Sequence, residues 1–340
     1  MDQLSAHLDR GWDLAQKGDA AGASACARRA LEIDPQSPEV HNLLGYTSAL
    51  SGESDEALEH YRQAIALDET YLEAMLNAAE VLMHPLGEWD EAINLCDDAL
   101  EYAETKEETA DCLLLRVDAL LGKGETEEAK KCMARLPDPP FENSSYVFLI
   151  GRAYYELGET EKAAPFIEEA VRTDPTHPDA HYYLGLLRDD AGDTRGAVEA
   201  FLRSRALDMT KPPPAWAPSP DAFAQLVKRV IQGLDALLGR WVRDADVYIV
   251  DVPGAELVVD GVDPRAMVLL DARPSEDPGA PIADGAQLQA RLFIYQRNVE
   301  RGAGSALALE AELSAGLERE ITAVFLDRDP TEKAPLHQLN

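Results

Sequence analysis

A glycine recurs at Gly18, Gly52, Gly87, Gly124, Gly158 and Gly192, at intervals of 34, 35, 37, 34 and 34 residues. Five positions after each stands an alanine: Ala23, Ala57, Ala92, Ala129, Ala163 and Ala197. A unit of this length holds two short helices and a turn. Alone it cannot bury its apolar face, and it becomes stable only by stacking on a neighbour. The period therefore predicts an α-solenoid of about six helix-turn-helix repeats over residues 1–209.

The charge is strongly one-sided. Formal net charge is -32, with 43 Asp and Glu against 19 Lys and Arg in residues 1–216, and 20 against 12 in residues 217–340. Such a surface repels phosphate backbones and anionic membranes, so nucleic-acid binding and membrane attachment are not expected. Basic protein segments are its natural complement. Cys26, Cys96, Cys112 and Cys132 are scattered without metal-ligand spacing and read as reduced thiols. No basic-then-apolar leader opens the sequence, and no apolar run approaches the ~18 residues of a membrane span. A soluble, cytoplasmic protein is the expectation.

The repeat resembles the tetratricopeptide repeat, whose pattern has small residues at positions 8 and 20, a large apolar residue at 24, alanine at 27 and proline at 32. From Leu4 the first repeat gives Gly11, Ala23, Ala27, Ala30 and Pro35. From Pro38 the second gives Gly45, Ala57, Tyr61 and Ala64; from Ser144 the fifth gives Gly151, Ala163, Ile167, Ala170 and Pro175. From Pro178 the sixth gives Gly185, Ala197 and Phe201. Repeats three and four depart from the pattern near His84-Pro85 and at Leu136–Pro140, which predicts a change of pitch and a split into three-plus-three or four-plus-two halves.

The resemblance implies a binding face on the first helix of each repeat. Its positions supply Trp12, Tyr46, Phe148, Tyr155, Tyr182 and Tyr183, the acids Glu39, Glu73, Glu80, Asp111, Asp118 and Asp189, and Asn42 and Asn77, with Arg152 the lone cation. Aromatic anchors among carboxylates suit a basic, partly apolar peptide or helix. The members of this family that clamp acidic chaperone tails use a basic face, so that ligand is not expected here.

Residues 210–220 form a proline-rich linker in which no helix can persist. Residues 221–340 read as a small α+β domain. Ser219 caps a helix with Pro220 at its first position, whose apolar stripe (Phe223, Leu226, Val227, Val230, Ile231, Leu234, Leu237, Leu238) closes at Gly239. Strands are expected at Val247–Val252, Met267–Leu270 and Leu292–Tyr295, with a surface loop over Ala272–Gly285. A last long helix, capped by Ser305, buries Leu309, Leu313, Leu317, Ile321, Val324 and Phe325.

From Phe223 to Asp327 this order resembles the minimal zincin-like metallopeptidase domain of bacteria. Its landmarks are Phe223-x-x-Leu226-Val227, the strand Val247 to Pro253, Phe293 to Arg297 where that family has its edge strand, and the helix Leu317–Leu326 that there leads into His-Glu-x-x-His. Zinc hydrolysis of that kind needs two imidazoles at i and i+4 plus a glutamate. Here Asp327, Arg328 and Thr331 stand at those positions, and Pro330 drives Asp329 out of the α region. A second register, through Arg319, Glu320 and Ala323, fails equally, and His337 stands alone. The resemblance thus implies a zincin-like module without catalysis, metal or cofactor. The expected function is a protein-interaction adaptor or scaffold. A residual zinc peptidase with atypical ligands and a homo-oligomeric scaffold stand as alternatives, with the oligomeric state left open.

Overall fold

A computed structural model describes residues 3–84, 86–214, 216–274 and 288–325. Among them are seventeen helices and three strands, packed as two compact units, Met1–Thr176 and His177–Asn340. No helix among the described residues is long and apolar enough to cross a membrane.

The first unit holds five helix pairs: α1 (Gln3–Gln16) with α2 (Ala20–Ile33), α3 (Pro38–Leu50) with α4 (Ser54–Leu67), and α5 (Leu72–Met83) with α6 (Trp89–Tyr102). The last two are α7 (Lys106–Lys123) with α8 (Thr126–Met133), and α9 (Ser145–Glu156) with α10 (Thr160–Thr173). The recurring glycines sit in the turns between partner helices with φ from 72° to 84°, a left-handed conformation that side-chain-bearing residues adopt at a cost. The small residue at position 8 has a different task. A Cβ added at Gly45 would stand 2.6 Å from the Tyr61 ring, and one at Gly151 would stand 2.8 Å from Ile167. Each glycine thus admits the large position-24 side chain of its partner helix, so the pair closes to core density. Ala23, Ala57, Ala92, Ala129 and Ala163 are fully buried in these contacts. All four cysteines are free and buried, and burial holds the thiols of Cys96, Cys112 and Cys132 above their ordinary range.

The sixth pair, α11 (Pro178–Asp190) with α12 (Thr194–Asp208), belongs to the second unit. The break between units therefore follows the fifth pair. Composition alone puts its own boundary later, at the proline-rich residues 210–220.

The rest of the second unit comprises α13 (Pro220–Gly233), α14 (Ala236–Val242), β1 (Asp246–Val250), α15 (Ala255–Val259), β2 (Val268–Pro274), β3 (Leu288–Tyr295), α16 (Gln296–Ala303) and α17 (Leu309–Phe325). The strands form one sheet in the order β1-β3-β2, with β1 parallel and β2 antiparallel to β3. Phe293–Tyr295 thus lie on the central strand and not on an edge strand. Ser219 accepts from the Ala222 amide to start α13, and Ser305 from Ala308 just ahead of α17. The expected single helix through Leu238 is instead two. Leu234 is extended (ψ 145°), and the Asp235 carboxylate accepts from the amides of Leu237 and Leu238 to open α14. Leu237 is consequently exposed. Phe223, Leu270, Leu292, Ile294, Leu313, Leu317 and Ile321 form the enclosed core between sheet and helices. From residue 275 onward the expected loop through Gly285 lies outside the described residues.

Candidate partner-binding face

The first helices α1, α3, α5, α7 and α9 pack in succession, which sets residues one repeat apart beside one another. Several expected face residues bond along that direction. Asn77 donates to the Asn42 side-chain oxygen at 3.0 Å, and Asn42 donates to the Tyr71 hydroxyl at 3.2 Å. The Tyr146 hydroxyl donates to Asp111 at 2.8 Å, and Arg152 donates to Asp118 at 2.8 Å. Trp12 and Tyr46 meet between α1 and α3 with ring centres 5.2 Å apart.

Asn42 and Phe148 differ from the expectation. Both are buried, Asn42 completely, so they offer a partner little or no surface. Glu39, Glu73 and Glu80 are exposed, while Trp12, Tyr46, Asn77, Asp111, Asp118, Arg152 and Tyr155 are half-buried. Ser37, the cap of α3, donates its hydroxyl to Glu39 at 2.5 Å.

Glu80, Asp118, Arg152 and Glu156 line a cavity of about 640 Å³ together with His84 and Trp89. His84 packs edge-on against Trp89 at 5.3 Å. Trp89, at the start of the second helix α6, falls outside the first-helix positions that the repeat pattern singles out. The one-residue insertion near His84-Pro85 is the sequence signal that marks the spot.

Electrostatically the face carries more anion than it neutralises. Burial, followed by the charges of Asp118 and Asp111, raises the Glu80 carboxyl above its ordinary value. Burial likewise raises Asp111, against the hydrogen bond from Tyr146 and with Glu107 and Glu108 adding to the rise. Asp118 is raised by burial even though Arg152 and His84 pull the other way. Arg152 is divided between Asp118 and Glu156, the latter at 3.6 Å. Glu80, Asp111 and Asp118, with Arg152 paired to one of them, make a site that gains from a further positive charge.

Tyr182, Tyr183 and Asp189 lie on α11, in the other unit. The Tyr182 hydroxyl donates to Asp263 at 2.8 Å, and the Arg265 guanidinium lies over its ring at 4.2 Å. Tyr183 stands edge-on to Tyr182. Arg265 also reaches Asp179 at 2.5 Å and Asp208 at 3.4 Å, while Arg301 pairs with Asp208 at 2.5 Å and Asp179 at 3.3 Å. Arg205 donates to the Pro253 carbonyl at 2.6 Å. Tyr182, expected as a partner contact, is therefore engaged by this chain's own residues.

Among the described residues no group of three or more His, Cys, Asp or Glu is arranged for a metal ion. Asp327, Arg328, Thr331 and His337 lie outside the described residues.

The paired helices, left-handed turn glycines and close-approach glycines agree with the family comparison. Tetratricopeptide-repeat profiles match residues 8–71 and 148–212, and a second such profile matches residues 74–110. The helical array is made of tetratricopeptide repeats. Human tetratricopeptide repeat protein 7B is 30% identical over 115 residues, covering 34% of this chain and 13% of that protein. A TPR repeat-containing protein of Pseudomonas aeruginosa is 32% identical over 69 residues, covering 20% of this chain and 66% of its own. This chain thus spans less than two thirds of the length of either relative. The Pseudomonas aeruginosa PilF structure superposes with a TM-score of 0.51 at 20% identity, over 60% of this chain and 91% of its own, a likeness of fold. Tetratricopeptide-repeat proteins serve as protein-interaction scaffolds. The described C-terminal residues show a three-stranded sheet packed with helices.

Proposed function

We propose that this tetratricopeptide-repeat protein is a non-catalytic adaptor. It holds a basic, partly apolar segment of another protein against the first-helix face of Met1–Thr176. Glu80, Asp111 and Asp118 supply the anionic floor, Glu39 and Glu73 the accessible rim, and Trp12, Tyr46 and Trp89 the apolar contacts. The observation that carries this reading is the cavity of about 640 Å³ in which three carboxylates, Glu80, Asp118 and Glu156, meet one arginine, Arg152, beside Trp89. Arg152 is already divided between Asp118 and Glu156, so an arriving Lys or Arg meets an excess of carboxylate.

On this reading residues 221–325 are a second docking module. The order of the Val247–Pro253 strand, the Phe293–Arg297 segment and the Leu317–Phe325 helix supports its origin as a zincin-like metallopeptidase domain that lacks the catalytic motif.

The test is fluorescence anisotropy with a labelled Arg- and Leu-containing peptide and the full chain. Binding should fall steeply with added salt. Glu73→Lys with Glu80→Lys should weaken it by about tenfold or more and flatten the salt dependence. Unchanged affinity in that double variant refutes the reading.

A further inference from the structure

His41 of α3 and His60 of α4 face one another with their Nδ1 atoms 3.4 Å apart. The ring centres are separated by 5.6 Å and the planes inclined by 39°. That separation exceeds the usual 2.7–3.2 Å of a protein N–H hydrogen bond.

The outer contact of His41 sets the proton of its neutral ring. His41 Nε2 lies 3.2 Å from the Pro35 carbonyl oxygen. A carbonyl only accepts, so Nε2 carries the proton and Nδ1 of the neutral ring keeps a bare lone pair. His60 Nε2 faces the Glu56 carboxylate at 3.9 Å, another group that only accepts. In the tautomer protonated at Nε2, His60 likewise presents a bare Nδ1. Two lone pairs then point at the space between them, an arrangement that calls for a positive charge there.

A metal ion fits the dimension. Two imidazole nitrogens at 2.0–2.1 Å from a tetrahedral zinc stand about 3.3–3.4 Å apart. Ligating histidines typically give their other N–H to a carbonyl or carboxylate, the role Pro35 and Glu56 take here. His60 and Glu56 also line a cavity of about 690 Å³ with Arg28, Ser51 and Glu53, which provides entry and room for water. We propose that His41 and His60 form a two-imidazole site for a divalent transition ion, zinc in the first instance, bound through both Nδ1 atoms. With no group of three ligands among the described residues, water completes the coordination. The ion would clamp α3 to α4 within the second repeat and stiffen the start of the binding face.

The test uses the full chain and zinc chloride in chelator-free buffer at neutral pH. Isothermal titration should give one zinc per chain, and His41→Gln or His60→Gln should each weaken it by about tenfold or more. His7→Gln and His84→Gln should leave it unchanged. Zinc should raise the Tm of the wild type and of neither His41→Gln nor His60→Gln. Far-UV circular dichroism checks that each variant is folded. If a variant misfolds, nitrogen NMR of wild-type imidazoles decides, with zinc-dependent shifts at Nδ1 of His41 and His60. Zinc binding that survives in both variants, shifts confined to other histidines, or no binding at all overturns the site.

Discussion

The Arg265 guanidinium lies 4.2 Å from the centre of the Tyr182 ring, above a residue whose hydroxyl is held by Asp263. Within one compact unit, a first-helix face of the repeat array thus already holds an arginine, flanked by the carboxylates of Asp179 and Asp208. The combination of stacked aromatic and paired acid is the same chemistry proposed for a partner on the earlier repeats. Here it is satisfied by the chain itself.

Removing that arginine should be costly. Its side chain is 13% exposed and that of Asp208 is 9% exposed, so Arg265→Ala takes a partner from the nearly buried Asp208 and from the partly exposed Asp179. The expected loss is about 3 kcal/mol, read as a lower urea midpoint for the second unit and faster amide exchange along α11. Arg265→Lys should recover little, since an ammonium lacks the flat fork that both stacks and pairs.

The same cluster sets an acid limit. Burial alone would raise Asp179, but Arg265, Lys211 and Arg301 outweigh it and hold the carboxyl below its ordinary 3.8. The unfolded chain therefore takes up this proton at higher pH than the folded one. The stabilisation is complete above about pH 4 and is lost as the pH falls through the depressed folded value. Thermal unfolding between pH 3 and 6 should show a shallower acid loss for Asp179→Asn than for wild type.

Glu80 works in the opposite sense. Its folded carboxyl is raised, so ionised Glu80 costs stability at neutral pH, and the cost fades as the pH falls through that raised value. Glu80→Gln should raise Tm at pH 7 by an amount worth a few tenths of a kcal/mol at most, because solvent reaches the side chain. The difference should vanish near pH 4. If the floor carboxyls hold a cationic peptide, binding at pH 5 should also release protons, seen as a buffer-dependent enthalpy.

Gly45→Ala tests the packing rule of the repeat. Its methyl would stand 2.6 Å from Tyr61, a fully buried ring with no room to retreat. A loss of about 1–3 kcal/mol is expected by chemical denaturation. Gly233→Ala, with nothing within 4 Å of the added carbon, should be close to neutral.

Much of this was legible in the residues. The Gly18 series and the small residues at Gly11, Gly45, Gly151 and Gly185 each answer to a local steric demand, and local demands leave local traces. Ser219-Pro220 and Ser305 announced their helices for the same reason. The break at Leu234 was hidden because Leu237 and Leu238 continue the apolar period, while the Asp235 carboxylate that restarts the helix reads like any surface acid. The central place of β3 had a signal in the unbroken run Leu292-Phe293-Ile294-Tyr295, which suits a strand covered on both faces. Asn42 looked like a face residue because its position in the repeat is right; only the side chains of Tyr71 and Asn77 enclose it. Arg265 lies 83 residues from Tyr182, and no pattern in either segment foretells their meeting.

Trp89 gives the molecule an optical reporter of its own. Its indole borders the cavity shared by Glu80, Asp118 and Arg152, and it touches the edge of His84. A guest entering there changes the polarity and quenching around a native fluorophore. Emission spectra recorded against a Trp89→Phe variant can follow occupancy without any attached dye.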